Sequence, residues 1–215
     1  IRGNLILLAV RIGNSDTVER ALRACLPATD AGPPSLAVAT LPVAVLDALD
    51  GRPASRELQT ASSVSHNLGE LHRRAMDTIV SAKVAEEARI AALGLLGRRY
   101  GPFTMRILQS AGLDEAFRPS KRAAAMASLI SARYSGAVQR AAIAALSDTG
   151  AKDSSTMLLN AYPAVGAESR LAIADELMSR NEGMLELLSA LESGMIRTDI
   201  LDAARRNKLL SSTNA

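Results

Sequence analysis

The sequence predicts an all-α chain folded as an α-solenoid of antiparallel helix pairs. Three observations carry that prediction. One short helical phrase returns along the chain, as TVERALRACL from Thr17 to Leu26, EARIAALGLL from Glu87 to Leu96, AVQRAAIAAL from Ala137 to Leu146 and ESRLAIADEL from Glu168 to Leu177. A unit repeated in this way cannot bury its apolar face alone and stacks on its neighbours. Alanine and leucine dominate the composition, aromatic residues are only 2% and tryptophan is absent, which suits closely approaching helices. Apolar residues fall at spacings of three and four, and β-branched alternation is scarce, so a large sheet is not expected.

The register of the repeat is degenerate. When the copies are aligned on their last leucine, Arg89 and Arg170 share one position. Arg20 and Arg140 sit one residue later, with Glu19 and Gln139 in the Arg89 slot. Ala91, Ala141 and Ala172 coincide. Ala137 and Glu168 are 31 residues apart, a two-helix period, whereas Glu87 and Ala137 are 50 apart, so extra material lies between those copies.

Taken in order, Leu5 to Ile12 reads as a first helix, stopped by Gly13-Asn14. Ser15 or Asp16 offers an N-cap for a second helix that ends near Pro27. Asp30 to Pro34 is a loop punctuated by Gly32-Pro33-Pro34. Ser35 to Leu49 is helical in composition, with Pro42 expected to break or restart it. Gly51 to Ser63 is polar and loop-rich. Val64 to Val80 is a long amphipathic helix, with Leu68, Leu71, Ala75 and Ile79 along one stripe. Val84 to Leu96 follows and closes at Gly97. Gly101-Pro102 starts another helix, which ends at Gly112. Pro119 fits the first turn of a helix running through Arg133. After Gly136 comes Ala137 to Leu146, and then a pair from Ser154 to about Tyr162 and from Gly166 to Met178. Glu182 to Leu191 is stopped by Gly194, and Asp202 to Leu210 is a short last helix.

About twelve helices joined by short connections must pack as antiparallel neighbours. Residues 1–63 form a less regular helical segment and 64–215 the regular repeats, within what can also be one continuous domain of 1–215.

The formal charge is +3 and the isoelectric point about 9.3. The charges are interspersed, as on solvated helix faces, rather than gathered into a polyanion site. Cys25 is the only cysteine, which excludes an intrachain disulfide, and its apolar surroundings mark it as a small core residue. The chain begins at Ile1 without an initiator methionine, so we expect a processed product or a piece of a longer polypeptide. The apolar run from Leu5 to Val10 is too short to span a bilayer and lacks a signal-peptide cleavage pattern.

Three segments resemble a known family. They are LHRRAMDTIVSAKVAEEARIAALGLL from Leu71 to Leu96, LISARYSGAVQRAAIAAL from Leu129 to Leu146, and the stretch from Ser179 to Leu210 that closes with LLSALESGMIRTDILDAARRNKLL. Together they resemble the HEAT-like (HEAT/armadillo-type) helical region of the large exported dehydrogenase–cytochrome c proteins abundant in planctomycetes. In that family a β-propeller dehydrogenase-like domain precedes the helices and a c-type haem domain follows them. The resemblance implies a scaffold or spacer module in a periplasmic or exported redox protein, with neighbouring domains of the parent chain as partners. It transfers no chemistry, because the chain has neither a Cys-x-x-Cys-His haem-attachment motif nor the propeller.

Direct searches for chemistry give the same answer. His66 and His72 are the only histidines and lie about 240° apart around a helix, so they do not converge on one metal. They read as surface or boundary residues. Asp114-Glu115 and Glu86-Glu87 are adjacent pairs that diverge on a helix. No Gly-x-Ser-x-Gly elbow occurs, and LGLLGRRYG from Leu93 to Gly101 lacks the lysine and the strand–turn–helix setting of a P-loop. Met178, Met184 and Met195 read as core filling. No catalytic, cofactor-binding or metal-binding residue is assigned, and no cofactor is expected.

The recurring arginines Arg20, Arg89, Arg140 and Arg170 stand near helix starts. They are assigned to junctions between helices, bonding loop carbonyls or acids of adjacent repeats. The competing readings are an independent protein-binding adaptor and a nucleic-acid-binding repeat protein. The second suffers from the scarcity of aromatic residues for stacking, two Phe and three Tyr.

Overall fold

A computed structural model describes residues 7, 10, 11, 15–25, 36–51, 62–110, 112, 113 and 117–211. Among these the chain is all-helical, with no strand. Eleven α-helices are α1 (Ser15–Cys25), α2 (Leu36–Asp50), α3 (Ser62–Val80), α4 (Glu86–Gly97), α5 (Pro102–Ser110), α6 (Pro119–Ala127), α7 (Gly136–Asp148), α8 (Ser154–Ala161), α9 (Ala167–Leu177), α10 (Asn181–Glu192) and α11 (Ala203–Ser211). Short 3-10 turns follow α8 (Tyr162–Ala164) and α10 (Thr198–Ile200). Of the expected first helix, Leu7, Val10 and Arg11 are helical, and the rest lies outside the described residues, as do the Asp30 to Pro34 loop and Asp114-Glu115.

Local signals explain most boundaries. Ser135 caps α7, its Oγ accepting the Val138 N–H at 3.3 Å. Pro119 occupies the first turn of α6, where its missing N–H costs nothing. Gly194 stands past the end of α10 at φ +74°, a conformation that glycine adopts without a Cβ clash.

Two boundaries differ from expectation. Pro42 does not break its helix, because α2 runs through it from Leu36 to Asp50. Val45, Leu46, Ala48 and Leu49 are buried in the turns that follow, and that burial outweighs the lost backbone bond. Conversely, α6 stops at Ala127 rather than continuing to Arg133. The Ser128 hydroxyl bonds the Ala125 carbonyl at 2.7 Å, and residues 128–134 turn and bend while Leu129 and Ile130 remain buried.

Packing follows two rows. The helices α2, α4, α7 and α9 touch in succession, and so do α1, α3, α6, α8 and α10. Across the rows, α1 meets α2, α3 meets α4, α6 meets α7 and α8 meets α9. The extra helix α5 packs chiefly on α2 and α3. It is part of the additional material between the second and third copies of the phrase. The starts of α2, α4 and α7, at Leu36, Glu86 and Gly136, are spaced by a constant 50 residues. One hydrophobic cluster runs through the rows from Val10 to Leu209.

The approach of α4 to α7 is very close at Gly97. A Cβ placed there would lie 2.6 Å from Ala145 Cα and 2.9 Å from the Ala145 carbonyl oxygen. The Ala-rich composition therefore has a specific use, letting backbones meet where a larger side chain would hold them apart.

Candidate functional site

The recurring polar residues make one kind of contact. Every α-helix ends with carbonyls that have no partner within the helix, and the negative end of its dipole gathers there. Buried Arg89, in the first turns of α4, reaches back to the end of α3. Its Nε donates to the Ile79 carbonyl at 3.2 Å and its Nη2 to the Ser81 carbonyl at 2.5 Å. Arg170, in the matching position of α9, donates from Nε to the Tyr162 carbonyl at 3.1 Å and from Nη2 to the Pro163 carbonyl at 3.0 Å, in the turn that ends α8.

Gln139 fills the same slot in α7. Its Nε2 donates to the Ser131 and Tyr134 carbonyls at 2.9 and 2.8 Å, after α6, and its Oε1 accepts the Ser169 hydroxyl of α9 at 2.6 Å. Sequence reading assigned no role to Gln139, although the alignment had already put it in the Arg89 slot. What the slot requires is a planar group with N–H donors, and both guanidinium and amide supply one.

The other two recurring arginines do different things. Arg140 is half-exposed and its Nη1 bonds Glu168 Oε2 at 2.5 Å, linking α7 to α9 across solvent. Arg20 is exposed and donates from Nε to the Asp16 carbonyl at 3.3 Å within its own helix. The four arginines are therefore not brought together. Each stands at its own helix junction or, for Arg20, on its own helix.

A fifth arginine, not singled out by the repeat, is the most buried. Arg122 of α6 is 2% exposed. Its Nη1 donates to the Leu96 carbonyl and, at 2.8 Å, to the Arg98 carbonyl, where α4 ends. Its guanidinium carbon stands 4.8 Å from the centroid of the Tyr100 ring, and its Nε is buried without a partner. Burial lowers its pKa, partly offset by the Tyr100 oxygen. Nothing in KRAAAM advertises this role, since the accepting carbonyls lie 24 and 26 residues earlier.

All three tyrosines of the chain lie beneath arginines of the chain. Arg89 stands 5.3 Å from Tyr134, Arg170 5.3 Å from Tyr162, and Arg98 and Arg122 5.9 and 4.8 Å from Tyr100. Burial pushes the Tyr100 phenol up to about 12. Tyr100 also meets Phe117 edge to face, with ring centroids 5.3 Å apart.

The histidine expectation holds for His66, which is exposed, and fails for His72, which is buried with its ring 4.0 Å from that of Phe117. Phe117 follows α5 in sequence, and α3 packs on both α5 and α6, so tertiary packing buries a position that its own helix leaves at the boundary. Met178 and Met184 are buried, whereas Met195 is 55% exposed, correcting its assignment to the core. Cys25 is buried, its Sγ donating to the Ala21 carbonyl at 3.3 Å, and burial raises its pKa to about 12. Burial thus keeps the Cys25 thiol in its protonated form.

Grooves open on the surface of the described residues, and two of them lie near the residues above. One, of about 590 Å³ between α3 and α6, is lined by His66, Met76, Leu113, Phe117 and Lys121 among others. The other, of about 630 Å³, lies at the C-terminal side, where Arg170, Leu171, Met195 and Arg197 surround Tyr162. Arg170 enters this groove with its Nε and Nη2 already bonded to carbonyls. Among the described residues, no three His, Cys, Asp or Glu side chains converge as metal ligands. No described helix is long and apolar enough to cross a membrane. Comparison of the chain with protein-family models, with curated proteins and with solved structures gave no match.

Proposed function

We propose that this chain is a non-catalytic α-solenoid module of the HEAT-like type, acting as a scaffold or spacer in a larger exported dehydrogenase–cytochrome c-like protein. The observation that carries the structural part is the shared duty of Arg89, Gln139 and Arg170. Equivalent positions in successive copies hold the end of the preceding helix. A contact that recurs with the repeat suits architecture better than a unique binding site. The two rows of successive helices fit antiparallel pairs stacked into a superhelix. Each of the three tyrosines carries an arginine of the chain over its ring, which weighs against a nucleic-acid-binding function built on base stacking.

The redox setting and the exported location rest on the resemblance of the segments between Leu71 and Leu210. The second reading, an independent protein-binding adaptor, draws on the exposed apolar residues of the C-terminal side. Leu171, Leu185, Met195 and Leu210 stand out there.

The experiment that separates the two is to isolate the full-length protein that carries this sequence and to record its mass and visible spectrum. The scaffold reading predicts a larger polypeptide with a Soret band, while residues 1–215 alone show none. A full-length protein that ends with this chain and carries no haem would overturn the redox-scaffold reading and favour the adaptor.

A further inference from the structure

We propose that α5 is a strap held closed by the ionised carboxylate of Asp50, and that it is the first element to detach when that carboxylate is neutralised. Asp50 is the last residue of α2, where a negative charge opposes the helix's own dipole. Its position makes sense only in relation to another helix. One carboxylate oxygen of Asp50 accepts the Gly101 N–H at 2.8 Å and the other accepts the Thr104 N–H at 2.9 Å. These are two of the orphan donors at the start of α5, and the positive end of that helix faces the charge. A residue 51 positions upstream of Gly101 thus supplies the N-terminal cap that α5 does not supply itself.

Gly101 makes the approach possible. A Cβ there would lie 2.5 Å from Asp50 Cγ. Arg98 completes the clasp, with Nη2 2.8 Å from Asp50 and Nε 2.7 Å from Asp47. The charged and titratable groups around Asp50 among the described residues are Asp47 on α2, Arg98 and Tyr100 before α5, and, beyond the Tyr100 ring, Arg122 on α6.

The strap is separable because of its place in the fold. It belongs to neither row, and its principal contacts are with α2 and α3. Releasing it leaves the contacts along α4, α7 and α9 in place. Local openings of this kind occur in units set by packing and by shared bonds.

Ionisation supplies the control. Burial of Asp50 works to raise its pKa, and the bonds from Thr104, Gly101 and Arg98 outweigh burial and bring it below the ordinary 3.8. A depressed carboxylate contributes stability in full above the unfolded value of 3.8, and loses it as the pH falls through the lower folded value. The strap is therefore closed at neutral pH and opens in acid.

The test is amide hydrogen exchange on the whole chain, for wild type and Asp50→Asn. At pH 7 the variant is expected to lose about tenfold in protection at Thr104, Met105, Ile107 and Leu108, with less than about twofold change in α7 and α9. Wild type taken from pH 6 to pH 2 should lose protection in α5 before α7 and α9 once the pH is below 3.8, and the variant should show no such separate step. Unchanged protection of α5 in the variant would overturn the proposal. So would an equal loss in α5, α7 and α9. If Asp50→Asn fails to fold, the wild-type acid series decides alone. Loss in α5 first sustains the strap, and simultaneous loss throughout refutes it.

Discussion

Arg122→Ala is expected to lower the stability of the chain by about 3 kcal/mol, the largest effect of any single arginine. The side chain is buried, and its guanidinium bonds the two carbonyls at the end of α4, those of Leu96 and Arg98. Truncation leaves those acceptors, one buried and one part-buried, without their guanidinium partner, and leaves a void beside Tyr100. Arg122→Met separates the two contributions. It keeps most of the volume and removes the donors, so its loss should be about half that of alanine. Urea unfolding of both variants checks this. A methionine variant as stable as wild type would mean that the bonds contribute nothing net, as is known for some buried charged groups.

The second large effect concerns two glycines of one helix. Gly97→Ala should destabilise by about 2 kcal/mol, because its Cβ would meet the Ala145 backbone rather than a side chain that can turn aside. Gly94→Ala, one turn earlier on α4, has nothing within 4 Å of the added Cβ and should stabilise by about 0.5–1 kcal/mol through helix propensity. Thermal melts of the pair would show opposite shifts. The sign difference follows from the position of α7 alone, so equal shifts would refute the close approach of α4 and α7.

The all-helical class was legible because periodicity and composition act locally. The phrase repeated from Thr17 to Leu177 overlaps α1, α4, α7 and α9, and glycine and proline mark most of the ends. What was illegible depends on residues far apart in the chain. Pro42 signals a break, and only the burial of α2 against its neighbours overrides it. Asp50 looks like an ordinary helix-end acid until Gly101 and Thr104 are placed beside it, 51 and 54 residues later. Arg122 lies in an alanine-rich helix with no repeat signature, and its partners come from the end of another helix, α4. Its counterparts Arg89 and Arg170 were visible because they recur. Gln139 escaped because its residue type changed while its geometry did not.

The most direct test is a set of thermal melts on Arg20→Ala, Arg89→Ala, Arg140→Ala and Arg170→Ala, with heparin and duplex-DNA binding measured at low salt on the same samples. If the shared slot holds helix ends together, Arg89→Ala and Arg170→Ala lower stability by about 1–3 kcal/mol. Arg140→Ala, which breaks an exposed ion pair, costs no more than about 1 kcal/mol, and Arg20→Ala falls within about 0.5 kcal/mol of wild type. Polyanion binding, if measurable, is the same for Arg89→Ala and Arg170→Ala as for wild type. Unaltered melts for Arg89→Ala and Arg170→Ala, together with lost polyanion binding, would contradict the structural role and move these arginines to a nucleic-acid-binding surface.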